Sequence, residues 1–583
     1  MDLAPEQKLH GFTVRTREEL PEIDGTAYVL DHDKSGAQLL YLRNDDNNKA
    51  FSIAFKTPPA DDTGVFHILE HSVLCGSAKF PVKEPFVDLL KSSMQTFLNA
   101  MTFPDKTMYP VASTNDQDLL NLADVYLDAV LHPAIYRKRA IFEQEGWHYE
   151  LGGDTEAEAG DSVAGDAVAA TEAADGSARL VLNGVVYNEM KGALSDPNSV
   201  LYDELQAALF PDTAYRSSRR TPRAIPTSPT SSSWRSTAAT TAWTTATSRV
   251  RRSRPGRHAG LPQRTLPVPR RRRAGRPRRA SAPRARLSAP RAARAGARTR
   301  AGRERNMATA PENACAGLGY VIGNACERTR MTAVDILIDA IAGSNEAPLK
   351  RALLDAGLAA DATAFFADSL LQPFAVIQLR GLEEGGAERF RPVVEETLRK
   401  LADGGLDRTL VEASLSRAEF VMREREYGMP DGVALAMSSL AGWLYDDDAA
   451  TSYLKYEDDF AFLRKALDEG YFERLIREVF LDSDHMAEVE IVPVDGDEDA
   501  YEEERLAAVE AAMTPEDYVR VADEEAALRR LQEEPDSPEA LAVLPRLSVA
   551  DIKDAPEEPA YGPVEDASVP TLRHDVPTRG IAY

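Results

Sequence analysis

The chain has 583 residues and a formal net charge of −26, with 43% hydrophobic and 28% charged residues. These proportions are typical of a globular protein, and the length predicts several domains rather than one core. The acidic balance disfavours nucleic acid as the main partner, and we see no apolar run long enough for a membrane span. The amino-terminal residues show no secretory signal and the three cysteines make no disulfide framework, so we expect a cytoplasmic protein.

The first part of the chain predicts a sheet followed by a helix. Short apolar or alternating runs at Tyr28–Leu30, Ala37–Leu42 and Phe51–Phe55 are typical of strands. A helix should follow, with Thr63 as its cap and Gly76 as its end. A second helix is expected to begin at Asn115.

The first of these helices carries the order H-x-x-E-H. His67 and His71 are four residues apart, so they project from one helix face and can share one metal ion. Glu70 is placed to accept a proton from a water molecule that zinc has acidified to a pKa of about 7. This is the inverted zinc-protease motif.

A catalytic zinc ion requires a third protein ligand. Spacing alone does not choose among the downstream carboxylates, but Glu189 lies in the helical segment VVYNEMKGALSD among apolar and small residues. A buried unpaired carboxylate would be unfavourable there, whereas a metal ligand would not. The alternative, a surface glutamate, stays open on the residues alone.

The segment 216–306 has a different composition. It holds 26 Arg, no Lys, no Asp and one Glu, a balance of +25, so the rest of the chain carries −51 (−26 less +25). It has no Phe or Tyr and a single Ile, and it cannot bury enough apolar area to offset its ordering entropy. We predict that it is disordered, and the Ala-, Asp-, Glu- and Gly-rich stretch Gly152–Ser177 is expected to be a solvated loop.

Patterning typical of a folded protein returns near Ala316. The expected elements are strands at Gly317–Ala325, Phe374–Gln378 and Met486–Val492, and helices at Thr332–Ala342, Pro348–Ala356 and Phe390–Leu401. Tyr501–Met513 and Asp517–Gln532 are two amphipathic helices on either side of Thr514-Pro515, which predicts an antiparallel helical hairpin.

Four segments together resemble the presequence-protease branch of the insulinase (pitrilysin) family of zinc metallopeptidases. They read HILEHSVLCGS, FLNAMTFPDKTMYPVASTN, FEQEGWHYEL and GVVYNEMKGALSDP. The resemblance is close over 8–215 and looser over 316–583. It implies that His67, His71 and Glu189 bind one Zn²⁺ and that Glu70 is the catalytic base.

The resemblance has further implications. Asn99 and Ala100, in FLNA, match an edge-strand segment that pairs with the backbone of a bound peptide. The implied fold is α+β, with two related domains of mixed or antiparallel sheet packed with helices (insulinase/LuxS-like), then a helical hairpin. Members of the family enclose unfolded oligopeptides in a chamber between two such halves.

Two departures from the family pattern stand out. The chain is expected to end where the second half, with its substrate-binding Arg and Tyr, would begin, so a separate chain supplying that half is a candidate partner. The run Thr227–Trp234 can be encoded so that a one-base shift reads Asp-Leu-Thr-Tyr-Glu-Gln-Phe-Leu, which resembles a helix start of the family. We therefore hypothesise that 216–306 is read out of frame, a question that the coding DNA decides. The rival interpretation is an arginine-rich linker that binds nucleic acid.

The predicted organisation has five segments. They are a catalytic zinc-binding α+β domain (1–215), the Arg/Pro-rich disordered segment (216–306), a second α+β domain (307–495), a helical hairpin linker (496–548) and a truncated start of the second half (549–583). The predicted function is a zinc metalloendopeptidase or oligopeptidase that cleaves short unstructured peptides. Two alternatives stay open: a truncated or frame-shifted, catalytically impaired fragment that only binds zinc or peptide, and an interaction protein that uses 216–306 for nucleic acid.

Overall fold

A computed structural model of the protein describes residues 2–152, 179–217, 224–225, 243–246, 299–496, 500–552 and 561–574, with the backbone alone at 243–246, 299–301 and 574. The expected loop Gly152–Ser177 and most of the basic segment lie outside these residues. Within the described part of the chain, no helix combines the length and apolarity that a membrane span requires.

Nine strands form the first sheet. Their bounds are β1 Lys8–Leu9, β2 Phe12–Leu20, β3 Gly25–His32, β4 Gln38–Arg43, β5 Lys49–Lys56, β6 Gln95–Leu98, β7 Met101–Thr102, β8 Lys106–Ser113 and, later in the chain, β11 Trp243–Ala246. The spatial order is β1-β2-β3-β4-β11-β5-β8-β6, with β7 also paired to β8. Every pairing is antiparallel except that between β4 and β11.

Helices of the first part of the chain pack around this sheet and beside it. They are α1 Val65–Val73, α2 Pro85–Ser92, α3 Asp116–Leu131, α4 Arg139–Glu145, α5 Val185–Ala193 and α6 Pro197–Leu209, and the two-stranded sheet β9 His148–Gly152 with β10 Arg179–Asn183 lies between α4 and α5 in the chain. The side chain of Asn115 accepts hydrogen bonds from the first backbone N–H groups of α3, as the sequence predicts.

The second sheet has five strands. Its members are β12 Thr299–Ala308, β13 Cys315–Val321, β14 Ala359–Ala367, β15 Phe374–Leu382 and β16 His485–Val494, in the order β12-β16-β13-β15-β14. Only the pairing of β12 with β16 is parallel. The helices of this region are α7 Arg328–Ala342, α8 Pro348–Asp355, α9 Gly386–Gly404, α10 Arg408–Glu424, α11 Asp431–Trp443, α12 Glu457–Leu467 and α13 Tyr471–Ile476.

The last elements are α14 Ala500–Glu510, α15 Pro515–Glu533, the single turn α16 Pro538–Leu541, and strands β17 Tyr561–Pro563 and β18 Leu572–His574, which pair with each other. Thr514 forms a capping box with Asp517 at the start of α15. The two helices match the predicted hairpin in position.

Helices distant in sequence complete each core. Tyr109 and Val111 of β8 face α3, whereas Met108 faces Leu440 and Trp443 at α11. In the opposite direction, α6 lies before the predicted boundary at 215 but packs its leucines on the second sheet. The α+β prediction is confirmed, and both sheets are packed with helices.

The prediction that 216–306 is disordered is wrong at two places. Trp243–Ala246 forms β11 inside the first sheet, and Thr299–Asn306 belongs to β12, which pairs with β16 along its whole length. The backbone hydrogen bonds of a strand do not require apolar side chains, so composition was a poor guide there. Ile225 is also buried, in a core cluster that it shares with α1 and α5.

Candidate metal centre

Helix α1 carries three of the predicted site residues. It begins after Gly64, which has a φ of 66°, and Gly64 rather than Thr63 occupies the cap position. The expectation of a Thr63 cap is wrong because the Thr63 backbone N–H turns back to Asp61 Oδ1, at 3.1 Å. Four residues apart on α1, His67 and His71 lie on one face, with their ring centroids 5.0 Å apart.

Helix α5 brings Glu189 to the same place. The chain enters α5 through Gly184, whose φ of 153° and close approach to the turn after α4 exclude a side chain, since a Cβ there would lie 2.4 Å from the Gly146 carbonyl oxygen. This close approach lets α5 pack against both α1 and α4. Sequence reasoning expected Glu189 on a helix, and it lies near the middle of α5.

The structure brings His67, His71 and Glu189 together. Glu189 Oε2 lies 3.6 Å from His67 Nε2 and 3.5 Å from His71 Nε2. One ligand atom from each residue lies within 4.8 Å of the other two, and within the described residues this is the one such group of His, Cys, Asp or Glu. The His67 side chain is buried, His71 is one-quarter exposed and Glu189 is half exposed, so the group opens to solvent on the Glu189 side.

These separations fit a zinc site. They are longer than good hydrogen bonds, which end near about 3.2 Å for nitrogen and oxygen. Two ligands that each lie about 2.0–2.2 Å from a tetrahedral zinc ion are about 3.4 Å apart, close to the observed values. Two imidazole nitrogens and one carboxylate oxygen are also a donor set that zinc accepts in catalytic sites, where a fourth position stays open.

Glu70 lies one residue before His71 on α1 and is buried, with 6% of its surface exposed. Two buried phenols, Tyr109 and Tyr126, are close enough that burial, and after it the Glu70 carboxylate, raises the pKa of each well above its usual value. The role of Glu70 as a catalytic base stays a prediction.

Glu145, at the end of α4, is a site residue that sequence reasoning missed. Its Oε2 lies 3.4 Å from His71 Nδ1, and its Oε1 accepts hydrogen bonds from the Cys75 thiol, at 3.2 Å, and from the Gln144 amide, at 2.8 Å. Burial favours a higher pKa for Glu145, but the interactions with His71, Cys75 and Gln144 outweigh it and lower the pKa. The residue lies within FEQEGWHYEL, where no motif or spacing distinguishes it from the other glutamates.

The same contact acts on His71. Burial favours a lower pKa for the imidazole, but the Glu145 contact and the nearby carboxylates of Glu70, Glu145 and Glu189 together raise it. A carboxylate on Nδ1 fixes the ring orientation and leaves Nε2 directed towards Glu189, an arrangement typical of metal-ligating histidines.

Asn99 and Ala100 lie between β6 and β7, at the edge of the first sheet. Asn99 is exposed, and its backbone N–H donates to the Pro110 carbonyl of β8, at 3.2 Å. The Ala100 N–H donates to the side chain of its neighbour, Asn99 Oδ1, at 2.9 Å. Their predicted role in peptide binding stays a prediction.

A cavity of about 450 Å³ lies beside α5. It begins next to Glu189 at Met190 and extends to the second sheet at Phe365 and Arg380. Tyr202 and Phe365 stack across it with ring centroids 6.4 Å apart. The metal centre therefore adjoins a space between the two sheets that is large enough for several side chains of a ligand.

Comparison with known proteins identifies relatives over nearly the whole chain. It is 35% identical to Protein HypA of Clostridium perfringens over 98% of this chain and 56% of that protein, and 35% identical to the chloroplastic and mitochondrial Presequence protease 1 of Arabidopsis thaliana over 98% of this chain and 52% of that protein. The chain thus spans about half the length of the curated relatives that it matches. Residues 494–583 match the family described as associated with peptidase M16, subfamily C.

The fold also has counterparts among solved structures. A protease from Helicobacter pylori aligns with a TM-score of 0.51 and 14% identity, over 79% of this chain and 98% of that one. The M16 peptidase inactive domain from Pseudomonas fluorescens aligns with a TM-score of 0.50 and 12% identity, over 81% and 99%. The resemblance drawn from sequence motifs is confirmed: by sequence and by fold, the chain belongs to the presequence-protease branch of the insulinase (pitrilysin) family.

Proposed function

We propose that the chain forms the metal-binding part of a zinc-dependent peptidase that cleaves short unstructured peptides. The observation that carries the proposal is the convergence of His67, His71 and Glu189 from two helices, with ligand atoms within 4.8 Å of one another and Glu70 on the same helix turn. The names of the relatives, presequence proteases, support a peptidase.

The division of roles follows from position. Zinc held by the three ligands would polarise a peptide carbonyl and activate a water molecule for attack on it. Glu70 accepts the proton of that water and later gives it to the leaving amine. Glu145 holds His71 through Nδ1, and Asn99 and Ala100 present a sheet edge along which an extended peptide can add as a further strand.

Unstructured oligopeptides are the proposed substrates because β-strand addition requires an extended backbone. The relatives are about twice as long as this chain, so we propose that a further polypeptide segment, on the same protein or on a separate chain, takes part in enclosing the substrate. The apolar side chains of Ile552, Tyr561 and Leu572, each more than half exposed, are a candidate surface for it. A cytoplasmic location stays a prediction from composition.

Zinc content and peptide hydrolysis test the proposal together. The purified protein should hold one zinc ion per chain, measured by elemental analysis, and should cleave a quenched fluorescent peptide of random sequence. Glu70→Gln should keep the zinc and lose at least about 100-fold in rate, because it removes the proton acceptor alone. His71→Ala should lose the zinc.

The outcomes separate the alternatives. Zinc binding without hydrolysis, in the presence and absence of a chain that supplies the other half, would support the catalytically impaired fragment. Failure of the wild-type protein to bind zinc at all, while it is folded by circular dichroism, would refute the proposed metal centre. The exposed Glu503→Gln on α14 is the matched charge-removal control and should keep both zinc and hydrolysis.

A further inference from the structure

The helical hairpin contacts the helix that carries Glu189. Glu502 of α14 accepts a hydrogen bond from the Tyr187 hydroxyl, and its Oε2 also accepts one from Lys191 Nζ at 3.2 Å. Tyr187 is 2% exposed, so this contact is made at a buried position. One carboxylate of the hairpin therefore binds two residues of α5.

These two residues lie on either side of Glu189 in the sequence and on the opposite side of the helix. Tyr187 and Lys191 are four apart and share a face, whereas Glu189 is two residues from each and so about 200° around the axis. One face of α5 is thus held by the hairpin while the other presents Glu189 to His67 and His71. A rotation of α5 that breaks the Glu502 contacts would also move the Glu189 carboxylate.

Apolar packing joins the same elements. Leu506 and Val521, one from each helix of the hairpin, are buried in one cluster with Ile68 of α1 and Val186 of α5. Ile68 is the residue after His67, so the hairpin contacts the cores beneath both metal-bearing helices. Backbone N–H groups of the β9–β10 sheet add further links, since Leu180 donates to Glu510 and Leu151 donates to Glu525 at 3.2 Å.

From these contacts we propose that Glu502 is a positioning residue for the metal centre, so that the docked hairpin sets the place of Glu189 and thereby the affinity for zinc. The inference rests on the proposed zinc site. It gives the segment that matches the subfamily C associated family a role in the chemistry of the first domain. It also means that any partner that shifts the hairpin changes the metal site through α5.

Zinc affinity is the direct readout. Glu502→Ala should weaken zinc binding about tenfold, measured by competition with a chromophoric chelator, since residues that orient a ligand contribute about 10–100-fold to affinity. The double variant Tyr187→Phe with Lys191→Met removes both partners of Glu502 and should weaken zinc to the same extent. Adding Glu502→Ala to it should change little, because the contacts are then already absent.

The matched control is Glu503→Gln, on the next residue of α14, which is exposed. It should leave zinc affinity unchanged. A second readout separates positioning from general stability: Glu502→Ala should reduce the difference in unfolding temperature between zinc-loaded and zinc-free protein, whereas a purely structural role would lower both temperatures equally. The cobalt-substituted protein offers a spectroscopic check, since displacement of Glu189 alters the visible absorption bands of a tetrahedral cobalt site.

Failure of this inference is distinguishable from failure of the zinc site. Absence of zinc binding in the wild-type protein would refute the proposed function. A wild-type protein that binds zinc, together with a Glu502→Ala variant that binds it equally well, would refute the role of Glu502 alone. An equal drop in both unfolding temperatures, with unchanged affinity, would likewise reduce the hairpin to a structural brace.

Discussion

The Glu145 carboxylate lies 3.4 Å from Nδ1 of His71, while Nε2 of the same ring lies 3.5 Å from Glu189. The imidazole is therefore held between an acidic partner on one side and the candidate metal site on the other. Glu145 is 7% exposed and comes from α4, so the orientation of His71 depends on a third helix in addition to α1 and α5.

We predict that Glu145→Gln weakens zinc binding about 10- to 100-fold, the range typical of a carboxylate behind a metal-ligating histidine. The amide keeps the size of the side chain but removes the negative charge that favours His71 as a ligand. Zinc titration with a competing chelator measures the effect. Glu143→Gln, on the same helix and paired with Arg139 instead, is the control and should bind zinc as the wild type does. Equal affinities for all three proteins would contradict the role of Glu145.

Removal of the metal should lower stability, because the three candidate ligands connect α1 with α5. At a free zinc concentration of about 100 times Kd, binding stabilises the folded state by about 2.7 kcal/mol. Addition of a chelator should therefore lower the unfolding temperature of the wild-type protein, measured by tryptophan fluorescence. Glu189→Ala should respond much less to the chelator, and an equal response in both proteins would argue that zinc binds elsewhere.

The metal motif and much of the fold follow from local patterns. The spacing of His67 and His71 needs only one helix, and the cap at Asn115 needs only one turn. Glu145 could not be assigned in this way, because its contact with His71 depends on how α4 packs against α1. The strand β12 was missed for a similar reason: its stability comes from pairing with β16, which is far away in the sequence.

Asp105 connects the two sheets through a buried network. Its carboxylate, 2% exposed at the start of β8, accepts hydrogen bonds from the hydroxyls of Tyr215 at 2.7 Å and Tyr445 at 2.6 Å. The Tyr215 hydroxyl also accepts the Leu371 backbone N–H at 2.8 Å, in the loop between β14 and β15. Removing either phenol therefore breaks a different number of bonds.

We predict that Tyr215→Phe destabilises the protein more than Tyr445→Phe does. Each variant loses one hydrogen bond to a charged acceptor, about 1.5–3 kcal/mol, but Tyr215→Phe also leaves the Leu371 N–H without its acceptor, about 1–3 kcal/mol more. Urea denaturation followed by circular dichroism measures the difference between the two variants. A larger loss in Tyr445→Phe would show that the Leu371 contact contributes little.

His148 links α4 to the β9–β10 sheet that leads into α5. Its Nδ1 lies 2.8 Å from the Glu143 carbonyl oxygen and its Nε2 lies 2.9 Å from Glu150 Oε1, which also accepts from the Asn183 amide. Burial favours a lower pKa for His148, but the contacts with Glu150 and Glu143 outweigh it and raise the pKa. The hydrogen bond from His148 is the largest influence on Glu150 and lowers the pKa of that carboxyl.

These directions predict a pH-dependent contribution to stability. A raised histidine pKa stabilises the fold fully below the unfolded value of about 6.5 and is lost as the pH rises through the folded pKa, whereas the lowered Glu150 pKa contributes above about 4.3. The gap in unfolding temperature between wild type and His148→Gln should therefore be larger at about pH 5.5 than at about pH 8.5. The measurement is made with chelator present, so that zinc binding does not add its own pH dependence. In a Glu150→Gln background the gap should narrow, because the main partner of the charged imidazole is gone, and a gap of the same size at both pH values would contradict the prediction.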